Sequence, residues 1–256
     1  MSGMYKLFHS FILYIYVCVC MYMYVYIICV IQQKTTRVHI SLSSFSPLPK
    51  NAGKTQFTKR LILQSDRLFQ TPITAYYYIY SHWQSAYSEL RNHLGDKITF
   101  SDTVPTENEL TTFMKPHKHG MFICDDKASE IERNAEFFQE LVTRLAHHLG
   151  MTNCLIVQDA SLNGKIKNSI ARNCHVNCLL KSPKERSFVK SLGIALGEYK
   201  CLLSAYEQAC SQPYSALIVD THPLTPPELR YRTNIFADNK PCIIFRPSHP
   251  GSSKHG

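Results

Sequence analysis

Three short clusters supply side chains from which chemistry could be built: Gly53-Lys54-Thr55, Asp125-Asp126 and Gln158. Glycine, lysine and a hydroxyl residue in that order form the end of the phosphate-cradling pattern G-x-x-x-x-G-K-[ST]. In that pattern backbone amides and the lysine surround the phosphates, and the hydroxyl ligates Mg²⁺. The start of the pattern departs here, because position 48 is Leu where the pattern has Gly. Lys54 would reach the β- and γ-phosphates and Thr55 would hold Mg²⁺. The amides of Asn51, Ala52, Gly53, Lys54, Thr55 and Gln56 would lead into the positive end of the following helix. Transfer of a γ-phosphoryl group to water also needs an acid in the Mg²⁺ shell and a group that polarises the attacking water. Asp125, closing the apolar run "MFICDD", suits the first role; Asp126 suits the second, with Glu130 the weaker candidate. Gln158 closes "NCLIVQD" and could contact the γ-phosphate. Each cluster also has an ordinary reading, since G-K-T recurs by chance and Asp-Asp after a strand is a common helix cap. Their order along one α/β pattern is what points to a nucleotide site.

The elements that must position these residues are legible as short apolar runs separated by helical stretches. Strands are expected at Val38–Leu42, Ala75–Tyr80, Met121–Asp126, Asn153–Asp159, His175–Leu180, Ser215–Asp220 and Cys242–Phe245. Helices are expected at 55–64, Trp83–Leu94, Glu136–Leu149, Glu185–Leu196 and Lys200–Cys210. Continuous apolar strands alternating with helices imply an α/β fold with a mostly parallel sheet covered by helices on both faces. Ligands of such sheets sit at the carboxyl ends of the strands, where all three clusters fall. Thr221–Arg230 and the tail 246–256 read as surface loop and frayed end.

The formal charge is +9. The first fifty residues carry Lys6, Lys34, Arg37 and Lys50 and no acid, which leaves residues 51–256 at +5. That balance is compatible with a polyanionic partner without specifying one. The ten cysteines show no disulfide framework, which fits a reducing compartment. Cys174-His175-x2-Cys178 with His147-His148 matches no common zinc spacing, and buried structural cysteines are the expectation. Residues 11–31, "FILYIYVCVCMYMYVYIICVI", lack any charge and are long enough to cross a bilayer. Their use of almost only Tyr, Val, Cys, Met and Ile, which alternating TG and TA repeats encode, also fits non-coding repeat DNA captured by a gene boundary. The organisation expected is therefore an apolar extension over 1–37, a catalytic domain over 38–245 and a tail over 246–256, placed inside the cell in nucleus or cytoplasm. A membrane enters only if residues 11–31 are expressed.

From about Pro49 to Phe236 the chain resembles the DNA-packaging ATPases of Polinton (Maverick) elements and adintovirus-like genomes, within the FtsK–HerA class of P-loop ATPases. The resemblance rests on the ordered set "PKNAGKT", "YYYIYSHWQSAY", Asp125-Asp126, "AHHLGMTNCLIVQD", "RNCHVNCLLKSPKER", "AYEQACSQPYSALIVD" and "ELRYRTNIF". It implies a P-loop NTPase fold of RecA/ASCE type, ATP and Mg²⁺ as cofactors, double-stranded DNA as partner, a homo-oligomeric ring and a capsid portal. It implies that Asp126 takes the position of the catalytic acid. Lys127 stands where the family has Leu, and Asn168 and Lys184 stand where it has Arg; Arg172 and Arg186 are the nearby substitutes. Two further readings stay open: a decayed copy, or one with a misplaced gene boundary, that keeps the fold without turnover, and a single-pass membrane protein.

Overall fold

The computed structural model describes residues 39–43, 53–69, 71–157, 166, 170, 173–181, 186–212, 214–223, 225–236 and 241–246. Strands lie at His39–Ser43 (β1), Ala75–Tyr80 (β2), Ile98–Ser101 (β3), Gly120–Asp125 (β4), Met151–Val157 (β5), Val176–Leu180 (β6), Ala216–Asp220 (β7), Tyr231–Thr233 (β8) and Ile243–Phe245 (β9). Helices lie at Lys54–Leu63 (α1), Ser65–Leu68 (α2), Ser85–Leu94 (α3), Glu107–Met114 (α4), Ala128–Arg133 (α5), Ala135–Glu140 (α6), Arg186–Ala195 (α7) and Tyr199–Ala209 (α8). From α6 the helix continues through a π turn, Leu141–Leu145, into Ala146–His148.

The described strands form one sheet in the order β3-β2-β4-β5-β1-β6-β7-β8-β9. From β3 to β6 every pairing is parallel. The pairings of β6 with β7, β7 with β8 and β8 with β9 are antiparallel. The apolar run ending at Asp220 therefore runs opposite to the strands from β3 to β6, in a sheet expected to be mostly parallel. β3, β8 and α4 are elements that the sequence pattern does not mark.

Period-two alternation sorts the strand side chains onto two faces. On one face Tyr76, Tyr78, Met121, Ile123, Cys154, Ile156, Val176, Cys178, Leu180, Ala216 and Ile218 pack under α1, α2 and α3 through Phe57, Leu61, Leu68, Tyr87 and Leu90. On the other, Ile79, Phe122, Cys124 and Leu155 meet Leu110 and Met114 of α4, Ile131 of α5 and Phe138 of α6. That second face continues under α7 and α8, where Val189, Leu202 and Tyr206 pack on Leu179, Leu217 and Val219. Both faces of β4 are thus covered, and all six of its residues are buried. This is why "GMFICD" reads as an unbroken apolar run. α4 starts from a capping box, in which the Thr106 hydroxyl accepts from the Glu109 amide and the Glu109 carboxylate accepts from the Thr106 amide.

Candidate nucleotide and magnesium site

The parallel half of the sheet sets the frame. β1 lies between β5 and β6, with Ser43 level with Val157, and β4 lies beyond β5, with Asp125 level with Ile156. Asp125 thus ends β4 at the carboxyl edge of the parallel strands, and Gly53 packs on Leu180, the last residue of β6, at the same edge. Asn51, Ala52 and Gln158 lie outside the described residues, as do 1–37 and 247–256.

Gly53 caps α1 with φ 84°, in the left-handed region, and its carbonyl accepts the first helical bond from the Phe57 amide at 2.7 Å. A Cβ here would stand 3.1 Å from Cδ1 of Tyr214 and 3.5 Å from Cδ2 of Leu180. The backbone conformation favours glycine, since a side chain would cost on the order of 1–2 kcal/mol there, and the packing is tight enough that the Tyr214 ring would have to shift. The turn delivers Lys54, Thr55 and Gln56 to the first turn of α1, where unpaired amides and the helix dipole favour an anion.

The Lys54 ammonium is half-buried. Burial pushes its pKa below the ordinary lysine value, while Asp126 first and Asp125 second pull it back up. One lysine therefore feels both acids, so the two clusters that lie some seventy residues apart in sequence converge. The Thr55 hydroxyl donates to Oε1 of Gln84, just before α3, at 3.2 Å. Among the described residues no group donates to the Thr55 hydroxyl oxygen. Gln56 is exposed.

Asp125 is 3% exposed. Alternation along β4 puts it on the same face as Met121 and Ile123, under α1 and α3. There its Oδ2 accepts from the Tyr78 hydroxyl at 2.7 Å and the Tyr87 hydroxyl at 2.9 Å. Burial raises the carboxyl pKa, against the two tyrosine hydrogen bonds and the Lys54 charge, which lower it; Asp126 adds to the rise. Burial likewise raises both tyrosines, so they remain phenols and donate. No described residue hydrogen-bonds to Oδ1.

Asp126 leaves the strand with φ 55°, a left-handed excursion that Asp tolerates better than most residues. Its amide donates to the Ile156 carbonyl at 3.2 Å, and its carbonyl accepts from the Ser81 hydroxyl at 2.5 Å. The turn is thus held from β5 on one side and from the segment after β2 on the other. The exposed carboxylate stays within the field of Lys54. Glu130 is engaged elsewhere, accepting from Arg133 at 3.2 Å. Among the arginines offered as substitutes, Arg186 pairs with Glu207 of α8; Arg172, like Asn168 and Lys184, lies outside the described residues.

No protein-family model matches the sequence, and no curated protein matches it. Solved structures that are similar in part include the following two. One is the cytoplasmic domain of the type VII secretion ATPase EccC of Thermomonospora curvata, at 11% identity and TM-score 0.46, over 82% of this chain and 25% of that one. The other is EssC, ATPases 2 and 3, of Geobacillus thermodenitrificans, at 13% identity and TM-score 0.43, over 85% of this chain and 40% of that one. The chain thus spans well under half the length of either.

The donor set fits Mg²⁺, a hard cation that prefers oxygen and keeps several waters. Thr55 and Oδ1 of Asp125 offer two oxygens beside a phosphate cradle. Tyr78, Tyr87 and Gln84 are parts of the site that the sequence alone does not reveal. The two tyrosines reach Asp125 across 47 and 38 residues. The aromatic run "YYYIY" gives no sign that one of its hydroxyls serves an acid. Elsewhere, Cys174 and Cys178 are buried, and the Cys174 thiol donates to the Val176 carbonyl at 3.3 Å. Among the described residues no group of three His, Cys, Asp or Glu could hold a metal ion, and no helix is long and apolar enough to cross a membrane. Residues 11–31 lie outside them.

Proposed function

We propose that the chain is a Mg²⁺-dependent ATPase of P-loop type that works on double-stranded DNA as a homo-oligomeric ring, in the manner of the packaging ATPases it resembles in sequence. The observation that carries the reading is the convergence of Lys54 with Asp125 and Asp126 at the carboxyl edge of a parallel sheet, with β5 between the β1 and β4 strands. In this reading the amides of the first turn of α1 and the Lys54 ammonium hold the β- and γ-phosphates. Thr55 and Asp125 would hold Mg²⁺, which neutralises charge on the transferring group when bound. Asp126, outside the tyrosine cage and accessible to water, orients the attacking water and accepts its proton. Gln158, next in sequence after the last residue of β5, has the proposed role of sensing the γ-phosphate. Delivery of DNA to a capsid portal is the furthest extension of the same reading and rests on the resemblance alone.

A second reading, nucleotide binding without turnover, is favoured by Leu48 and by Asn168 and Lys184 where the family has Arg. Phosphate release by the full chain, with Mg²⁺ and with and without double-stranded DNA, tests both. The motor reading predicts turnover stimulated by DNA and abolished in Lys54→Ala. Tight ATP binding with no turnover under any condition selects the second reading, and absence of both discards the pair.

A further inference from the structure

We infer that the cavity between α1, the start of β7 and the end of β8 seats the base of the bound nucleotide. The inference rests on the nucleotide-binding reading above. The cavity measures about 120 Å³ and is lined by Phe57 and Arg60 of α1, Tyr214 and Ser215 before β7, and Asn234 and Phe236 after β8. Because β7 runs antiparallel to β6, and β8 antiparallel to β7, the start of β7 and the end of β8 both lie at the carboxyl edge, beside the cap of α1. Asp125 and Gln84 stand on the β4 and β2 side of that cap, and the cavity stands on the β6 to β8 side. A nucleotide with its phosphates on the first turn of α1 and Mg²⁺ at Asp125 directs its other end toward the cavity.

The lining has the chemistry of a base site. Phe57 and Phe236 meet edge to face at 5.0 Å, and the Arg60 guanidinium lies 4.2 Å over the Phe236 ring. Planar aromatic and guanidinium surfaces are what nucleobases stack on. Tyr214 is 62% exposed and held at φ 61°, with its ring against Gly53, so it links the mouth of the cavity to the phosphate turn. Apart from its contact with the Gly53 turn, the ring is open to solvent and to a ligand. Ser215 and Asn234 supply polar groups at the rim that could read a base edge. At about 120 Å³ the cavity is smaller than the apolar cavity of about 150 Å³ that admits benzene, so a base would enter with part of its ring and leave the rest in the mouth.

The test compares binding of ATP and of inorganic tripolyphosphate, each with Mg²⁺, to the full chain and to Tyr214→Asn, Phe236→Leu and Lys54→Ala. Asn tolerates the left-handed backbone at 214, and unfolding curves identify variants that remain folded. The inference predicts that Tyr214→Asn and Phe236→Leu weaken ATP binding by about tenfold while tripolyphosphate binding is unchanged, because stacking on one aromatic is lost. Lys54→Ala should weaken both ligands. If Tyr214→Asn and Phe236→Leu bind ATP as tightly as the unmodified chain while Lys54→Ala does not, the base lies elsewhere and the nucleotide reading survives. If the unmodified chain binds neither ligand, the nucleotide reading falls and this inference falls with it.

Discussion

Asp125 and Asp220 each close an apolar strand, face the same side of the sheet and are almost completely buried, at 3% and 1% exposure. Their partners differ in kind. Asp125 is held through Oδ2 by two neutral phenols, while Asp220 Oδ2 meets the Arg232 guanidinium at 2.6 Å inside the antiparallel part. A carboxylate whose charge is already matched by a guanidinium has little left to offer a metal. One oriented by neutral donors keeps its negative charge for a cation arriving from outside. Position reinforces the contrast: Asp125 stands at the carboxyl edge with Lys54, whereas Asp220 pairs with Val176 at the start of β6, the opposite edge. The first acid fits the metal-binding role proposed for it, and the second is a structural ion pair.

The contrast can be broken most forcefully at the ion pair. Arg232→Met leaves Asp220 buried without its counter-charge, and a loss of about 3–5 kcal/mol is expected in urea unfolding, enough to unfold a marginal domain. Replacing both partners by apolar residues, Asp220→Leu with Arg232→Met, should recover most of that loss. Recovery would show that the pair is structural; a double variant as unstable as the single one would contradict the assignment.

Asp125→Asn should act in the opposite direction. Because burial raises the Asp125 pKa in the folded chain, folding favours its protonated form, so its ionisation costs stability as pH rises from the ordinary carboxylate range through the raised value. The amide relieves that cost and can still accept from Tyr78 and Tyr87. Thermal melts should show a higher Tm than the unmodified chain at pH 7, with the gap closing as the buffer is taken down to pH 4 or below. An Asn variant that melts lower at pH 7 would mean that the charge is compensated in the free protein, as it is at Asp220.

The smallest effect is expected at Tyr87→Phe, which removes one of the two donors and leaves the ring packing. One hydrogen bond to a charged group is worth roughly 1.5–3 kcal/mol, and Tyr78 remains in place. The Asp125 pKa should rise further, moving the pH profile of Mg²⁺-dependent ATP binding to higher pH while the fold persists. An unmoved profile would show that Tyr87 does not tune the acid.

The same pair of acids shows how far the sequence can be read. "MFICDD" and "SALIVD" look alike, and apolar content located both strands correctly, because burial on two faces writes the same pattern in either direction. Nothing local to Asp220 tells which way its strand runs, since direction is set by pairing with β6. The Lys54 and Asp125 clusters were legible as candidates because glycine, lysine, hydroxyl and acid at strand ends are the residue types that phosphate and metal chemistry would ask for. The tyrosine donors were not, because a phenol in an aromatic strand looks like core until the helix that brings Tyr87 beside Asp125 is in place. α4 went unmarked although the pattern T-x-x-E at Thr106 and Glu109, which forms its capping box, stands in the sequence. The four residues of β3 and three of β8 are too few for a period-two pattern to stand out from their surroundings.

Whether Asp125 and the Lys54 turn form one Mg²⁺-nucleotide site is measured directly by titration calorimetry of ATP into the full chain, with Mg²⁺ and then with EDTA, beside Asp125→Asn. A single shared site predicts micromolar binding that weakens when the metal is removed, and an Asp125→Asn protein that is folded yet indifferent to Mg²⁺. Equal affinity with and without metal, or a Mg²⁺ response that survives in Asp125→Asn, would contradict it.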